Sequence, residues 1–89
     1  MRYNIIISKE NIIKIQQSNW KNLYIIVNQN GEMYHASIAD PNGVLLQTED
    51  IFNSKDIAEN IMNQIIDAII ADHISIEFAT VINYTLNQE

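Results

Sequence analysis

Three carboxylates, Asp56, Glu59 and Asp67, fall within about 80° of one another if the segment that carries them is helical. Asn60 and Asn63 share that stripe. Such a ridge has two chemistries. It is a solvated helix face, or it docks on a basic partner whose Arg and Lys forks donate charge-assisted hydrogen bonds to it. In the second case the carboxylates stand where the phosphates of a nucleic acid would stand. Glu49 and Asp50 lie just ahead of the segment and extend the ridge. These five acids are the candidate partner-binding residues.

The histidines offer weaker chemistry. Asp72, His73 and Glu77 are competent metal ligands, but their spacing matches no recognised site. A histidine at a helix C-terminus is also an ordinary partner for the helix dipole. His35, mid-strand between Met33 and Ser37, would need an acid brought beside it to act as a catalytic base. The only glycines, Gly31 and Gly43, are explained by turns, and no Ser/His/Asp order marks a nucleophile. The expectation is a non-enzymatic protein without cofactor or metal.

Charge is divided along the chain. Residues 1–21 carry Arg2, Lys9, Lys14 and Lys21 against Glu10, whereas from Asn22 onward ten acids face only Lys55, for a formal net charge of -6. A surface so one-signed repels polyanions and is drawn to basic surfaces. Trp20, Tyr24, Tyr34, Phe52, Phe78 and Tyr84 could stack bases only beside a basic groove, which the chain lacks. Direct nucleic-acid binding is therefore not expected. The aromatics read as core, with the neighbourhood of Trp20 and Tyr24 as the exception.

Length and composition bound the rest. Eighty-nine residues, 47% hydrophobic, suit one small globular domain spanning residues 1–89. A chain this short is marginally stable alone, so a homodimer or partner complex would help it. With no cysteine there is no disulfide or thiolate site. The apolar run Ile5-Ile6-Ile7 is too short for a signal-peptide core, and no stretch reaches membrane-spanning length, which points to the cytoplasm. Nineteen isoleucines against four leucines, with twelve asparagines, suggest AT-rich codons and so a low-GC bacterial host or its phages and plasmids.

Elements must position these residues. Tyr3 to Ile7 reads as a strand. Ser8 to Trp20 favours a short helix capped by Ser8, although Ile12-Ile13-Lys14-Ile15 also suits a strand. Leu23 to Gln29, Glu32 to Ala39 and Val44 to Thr48 form an antiparallel meander, with turns at Asn30-Gly31 and Asp40-Pro41-Asn42-Gly43. Ser54 caps a helix running from Lys55 to about Asp72. Its apolar residues sweep roughly 220° of its surface, against the ~100° stripe of an ordinary surface helix. Either the N-terminal segment or a second subunit must cover the excess. Ile74 to Leu86 alternates like a half-buried strand with a bulge near Ala79-Thr80. The fold class is α+β, an antiparallel sheet of four or five strands with the long helix on one face.

The segment LYIIVNQNGEMYHAS, Leu23 to Ser37, followed by an acidic helix, resembles the hairpin of small acidic anti-CRISPR proteins encoded by phages. Size and negative charge are similar too. The resemblance implies a mechanism class, occupation of the nucleic-acid-binding surface of a CRISPR effector nuclease, and no residue roles. The chain departs from the family in its thinly spread acids and its net basic start. The expected function is an inhibitor that covers a basic surface of a host or defence nuclease. The alternatives are a structural module with an apolar dimer interface and a small metal protein.

Overall fold

The computed structural model describes residues 2–74 and 79–85, with side chains for residues 3–74. The order is β1 (Arg2–Ser8), α1 (Lys9–Gln17), a 3-10 turn (Trp20–Asn22), β2 (Tyr24–Asn30), β3 (Met33–Asp40), β4 (Gly43–Gln47), α2 (Lys55–Ile70) and β5 (Ala79–Thr85). The class is α+β, as the sequence implies.

Five strands are present among the described residues, but they do not form one sheet of four or five. β2, β3 and β4 make an antiparallel three-stranded sheet, and β1 pairs antiparallel with β5 as a separate ribbon. β4 is itself irregular. The register with β3 shifts between Ile38 and Ala39: Leu46 pairs with Ile38 and Val44 with Ala39, which leaves Leu45 without a partner residue. A bulge of this kind breaks the ladder and re-aims backbone groups. The freed Leu45 carbonyl accepts a hydrogen bond from Asn11 Nδ2 at the start of α1.

Local chemistry explains the elements. Ser8 caps α1 by accepting from Asn11 N at 3.2 Å, so the ambiguous N-terminal segment is helix over Lys9–Gln17. Ser54 caps α2 by accepting from Ile57 N at 3.2 Å, with Asp56 in the first turn. The first hairpin loop is Gly31-Glu32 rather than Asn30-Gly31, because Asn30 stays in register opposite Met33. Only Gly31 takes positive φ, 65°, the pattern of a two-residue loop with glycine first. The second turn is Pro41-Asn42, with Asn42 N donating to Asp40 Oδ1 at 2.8 Å. Helix α2 ends at Ile70, two residues short of the expected end. Asp72, with φ 57°, turns the chain out of the helix.

The core lies between the inner face of the three-stranded sheet, α2, α1 and β1. Ala36 and Ile38 of β3 meet Ile61, Met62, Ile65 and Ile69 of α2, and Ile12 and Ile15 of α1 close one side. Tyr3, Ile5 and Ile7 of β1 complete it, while Ile6 points to solvent. Phe52 is fully buried. Its backbone bridges to Tyr34 through two hydrogen bonds of 2.9 and 3.1 Å, and its ring meets Tyr3 at 5.2 Å between centroids.

This packing answers the over-wide apolar helix. α1 lies against α2, and Gln16 Nε2 donates to the Ile69 carbonyl at 3.4 Å and to Asp72 Oδ1 at 3.2 Å. The N-terminal segment therefore covers the excess, and of the apolar residues on α2 only Ile70 remains exposed. The alternation expected over Ile74 to Leu86 rests on side chains outside the described residues. The backbone there pairs with β1 over Ala79–Thr85. No helix among the described residues is long and apolar enough to cross a membrane.

Candidate functional site: an acidic helix face and the groove at its end

α2 positions three of the five candidate acids. Asp56, Asn60, Asn63 and Asp67 follow one another at spacings of three and four residues, which places them on one stripe. All four are exposed, and Glu59 beside them is half-buried. The stripe is solvated because the opposite side of α2 carries Ala58, Ile61, Met62, Ile65 and Ile69 into the core.

The stripe is held by short-range bonds. Asn63 Nδ2 donates to the Glu59 carbonyl at 3.0 Å. Lys55 Nζ lies 4.0 Å from Glu59 Oε1. This is the one ion pair to a ridge acid among the described residues. Exposed pairs of this kind contribute only about 0.3–0.5 kcal/mol. Lys14 pairs with Glu10 on its own helix at 3.0 Å. Among the described side chains of residues 3–21, none makes an ion pair with Asp56, Glu59 or Asp67.

The other two candidate acids lie beside different elements. Glu49 lines an open cleft of about 250 Å³ with Asn4, Ile5 and Ile6 of β1. Asp50 joins the loop end of the first hairpin. Its Oδ2 accepts from Asn30 Nδ2 at 2.8 Å, and its Oδ1 lies 2.8 Å from His35 Nδ1. An ionised carboxylate can only accept, so His35 carries its proton on Nδ1 in this pair. The acid that His35 needed is thus present. The pair acts as a clamp between the hairpin and the segment after β4.

The Asn30 hydrogen bond, followed by the His35 hydrogen bond, holds the Asp50 carboxyl below the usual range; desolvation opposes them, and the His35 charge adds the least. A depressed carboxylate adds stability above its unfolded pKa, about 3.9, and loses it as pH falls through the folded value. Asp50→Asn should therefore make unfolding less sensitive to acid below about pH 4. Melting temperatures taken across that window, beside a carboxyl NMR titration of the parent, check this. An Asp50 titrating at or above the ordinary aspartate value would contradict the geometry.

Other clusters have structural explanations. A cleft of about 690 Å³ opens between the end of α1 and the β3–β4 turn. Its Asp40 carboxylate accepts from Ser18 Oγ at 3.1 Å and from Asn42 N, which ties those two elements together. No group of three or more His, Cys, Asp or Glu residues fit to hold a metal occurs among the described residues. Asp72 and His73 are exposed, and Glu77 lies outside the described residues.

One feature was only half legible in the sequence. Trp20 is 63% exposed and lines a groove of about 350 Å³ with Leu23, Asn63, Ile66, Asp67 and Ile70. Trp20 and Tyr24 are exposed, as expected, whereas Tyr3 and Phe52 are buried. The sequence does not show that the 3-10 turn carrying Trp20 packs beside Asp67, because 46 residues of chain separate them. No family model, curated protein or solved structure matches the chain.

Proposed function

We propose that the chain is a small non-enzymatic interaction protein that covers a basic surface of another protein. The observation that carries this reading is the exposed carboxylate stripe Asp56–Glu59–Asp67, which has Lys55 as its only intrachain ion-pair partner among the described residues. Carboxylates spaced along a rigid helix present acceptors to Arg and Lys side chains that would otherwise grip phosphates. A protein that occupies such a surface excludes nucleic acid from it. The natural role is inhibition of a host or defence nuclease, such as a CRISPR effector, by a product of a phage or mobile element in a bacterial cytoplasm. The likeness of Leu23 to Ser37 to the anti-CRISPR hairpin supports that role. Glu49 and Asp50 flank the stripe in sequence and add to the negative field.

The test is capture of partners from a low-GC bacterial lysate at low salt, followed by elution with rising salt. A stoichiometric basic partner should elute as screening shortens from ~30 Å at 0.01 M to ~3 Å at 1 M. A partner that persists at 1 M salt, or none at all, would overturn the reading. The second reading is an apolar dimer. The outer face of the three-stranded sheet favours it, since Tyr24, Ile26 and Val44 are exposed there. Self-association that survives high salt in the same series would mark that alternative.

A further inference from the structure

We infer that the groove between the 3-10 turn and the end of α2 is the anchor site of this surface, and that it takes an arginine side chain of the basic partner. The inference rests on the proposed function and names the contact that would give it specificity.

The groove combines three features that the rest of the ridge lacks. It is apolar on its flanks, where Ile66, Leu23 and the 45%-exposed Ile70 line it. It carries a carboxylate, Asp67, and an amide, Asn63, on the stripe shared with Asp56. It has a broad aromatic wall in Trp20. A side chain suited to all three has an aliphatic stem, a planar cationic head and several N–H donors. Arginine fits this description. Its stem lies along apolar surface, its guanidinium stacks on indole, and its N–H fork is received by a carboxylate in bidentate geometry. Exposed tryptophan is also the residue type most enriched among binding hot spots.

The indole already holds one cation, from a residue that does not line the groove. Lys21 Nζ sits 5.5 Å from the Trp20 ring centroid. No ion pair joins Lys21 to Asp67, so the carboxylate is left available among the described residues. Charge also selects against a second copy of this chain as the occupant. Two chains of net charge -6 repel each other, which favours a basic partner over a second copy.

Trp20 is the only tryptophan, so its fluorescence reports on this groove alone. Hexa-arginine peptide titrated into the full chain at low salt should change that fluorescence saturably, and hexa-lysine should bind several-fold more weakly. By calorimetry, Trp20→Ala and Asp67→Asn should each weaken hexa-arginine binding roughly tenfold. Trp20→Phe should retain most of the affinity, and Lys21→Ala should raise it by removing a competing cation. Because Trp20 and Asp67 are exposed, circular dichroism should show both variants folded. If Trp20→Ala and Asp67→Asn bind as the parent does while Asp56→Lys weakens binding, the groove assignment falls and the ridge stands. If the parent binds neither peptide, the ridge reading falls with it.

Discussion

Phe52→Ala should remove about 3–5 kcal/mol of stability, the usual cost of deleting a buried phenyl ring. Small domains sit near the bottom of the ~5–15 kcal/mol range of folding free energies, so the variant is expected to be largely unfolded at 37 °C. Two observations single out Phe52. Its side chain is fully buried against Tyr3, so truncation opens a cavity between β1 and the three-stranded sheet. Its backbone extends the sheet by pairing with Tyr34, so loosening the ring also loosens the segment that delivers Asp50 to His35. Urea denaturation should show a lower midpoint with an unchanged slope. A loss below about 1 kcal/mol would mean that the ring is not in the core.

The second large effect concerns binding. Reversing Asp56, Glu59 and Asp67 to lysine should weaken the complex with the basic partner by at least ~100-fold, since three attractive contacts become repulsive. The cost to folding is small. The first-turn position of Asp56 makes a lysine there unfavourable to the helix dipole by about 0.3–1 kcal/mol. Loss of the Lys55–Glu59 pair, replaced by a like-charge pair, adds about 0.5 kcal/mol. The variant should therefore keep its circular dichroism spectrum while failing to bind. Reversal of Glu10, Glu32 and Glu89 to lysine, which lie off α2 in sequence and change the net charge by the same amount, serves as the control and should leave most of the binding intact. Equal losses in the two variants would show that overall charge, not the ridge, attracts the partner.

What was legible in the sequence follows the range of the forces involved. The caps at Ser8 and Ser54, the meander and the exposed stripe of α2 depend on residues within a turn or two of each other, and they are found where the pattern places them. The division into two sheets was not legible. It depends on which strands pair across the whole length of the chain, as Ser8 does with Ala79, and such a pairing has no local signature. The turn shift from Asn30-Gly31 to Gly31-Glu32 is a competition between two adjacent residues that both tolerate a turn, decided by the register of the whole hairpin. At the candidate site the helical wheel brought Asp56, Glu59 and Asp67 together. It could not show that Asp50 is taken up by Asn30 and His35, or that Trp20 stands beside Asp67.

The pairing of β1 with β5 imposes an order on folding. Ser8 lies opposite Ala79 in that ribbon, with about 70 residues looped out between them. The meander and α2 are built from near neighbours and can form as the chain leaves the ribosome. The β1–β5 ribbon must wait for the far strand to be synthesised, and such sequence-distant pairings are the slow step in small domains. Until then Tyr3, Ile5 and Ile7 line a strand with an open edge, the kind of edge that recruits other chains. In a crowded translation run the vulnerable species is thus the nascent chain with a finished meander and an unclosed ribbon, and its exposure lasts as long as synthesis of the final strand takes.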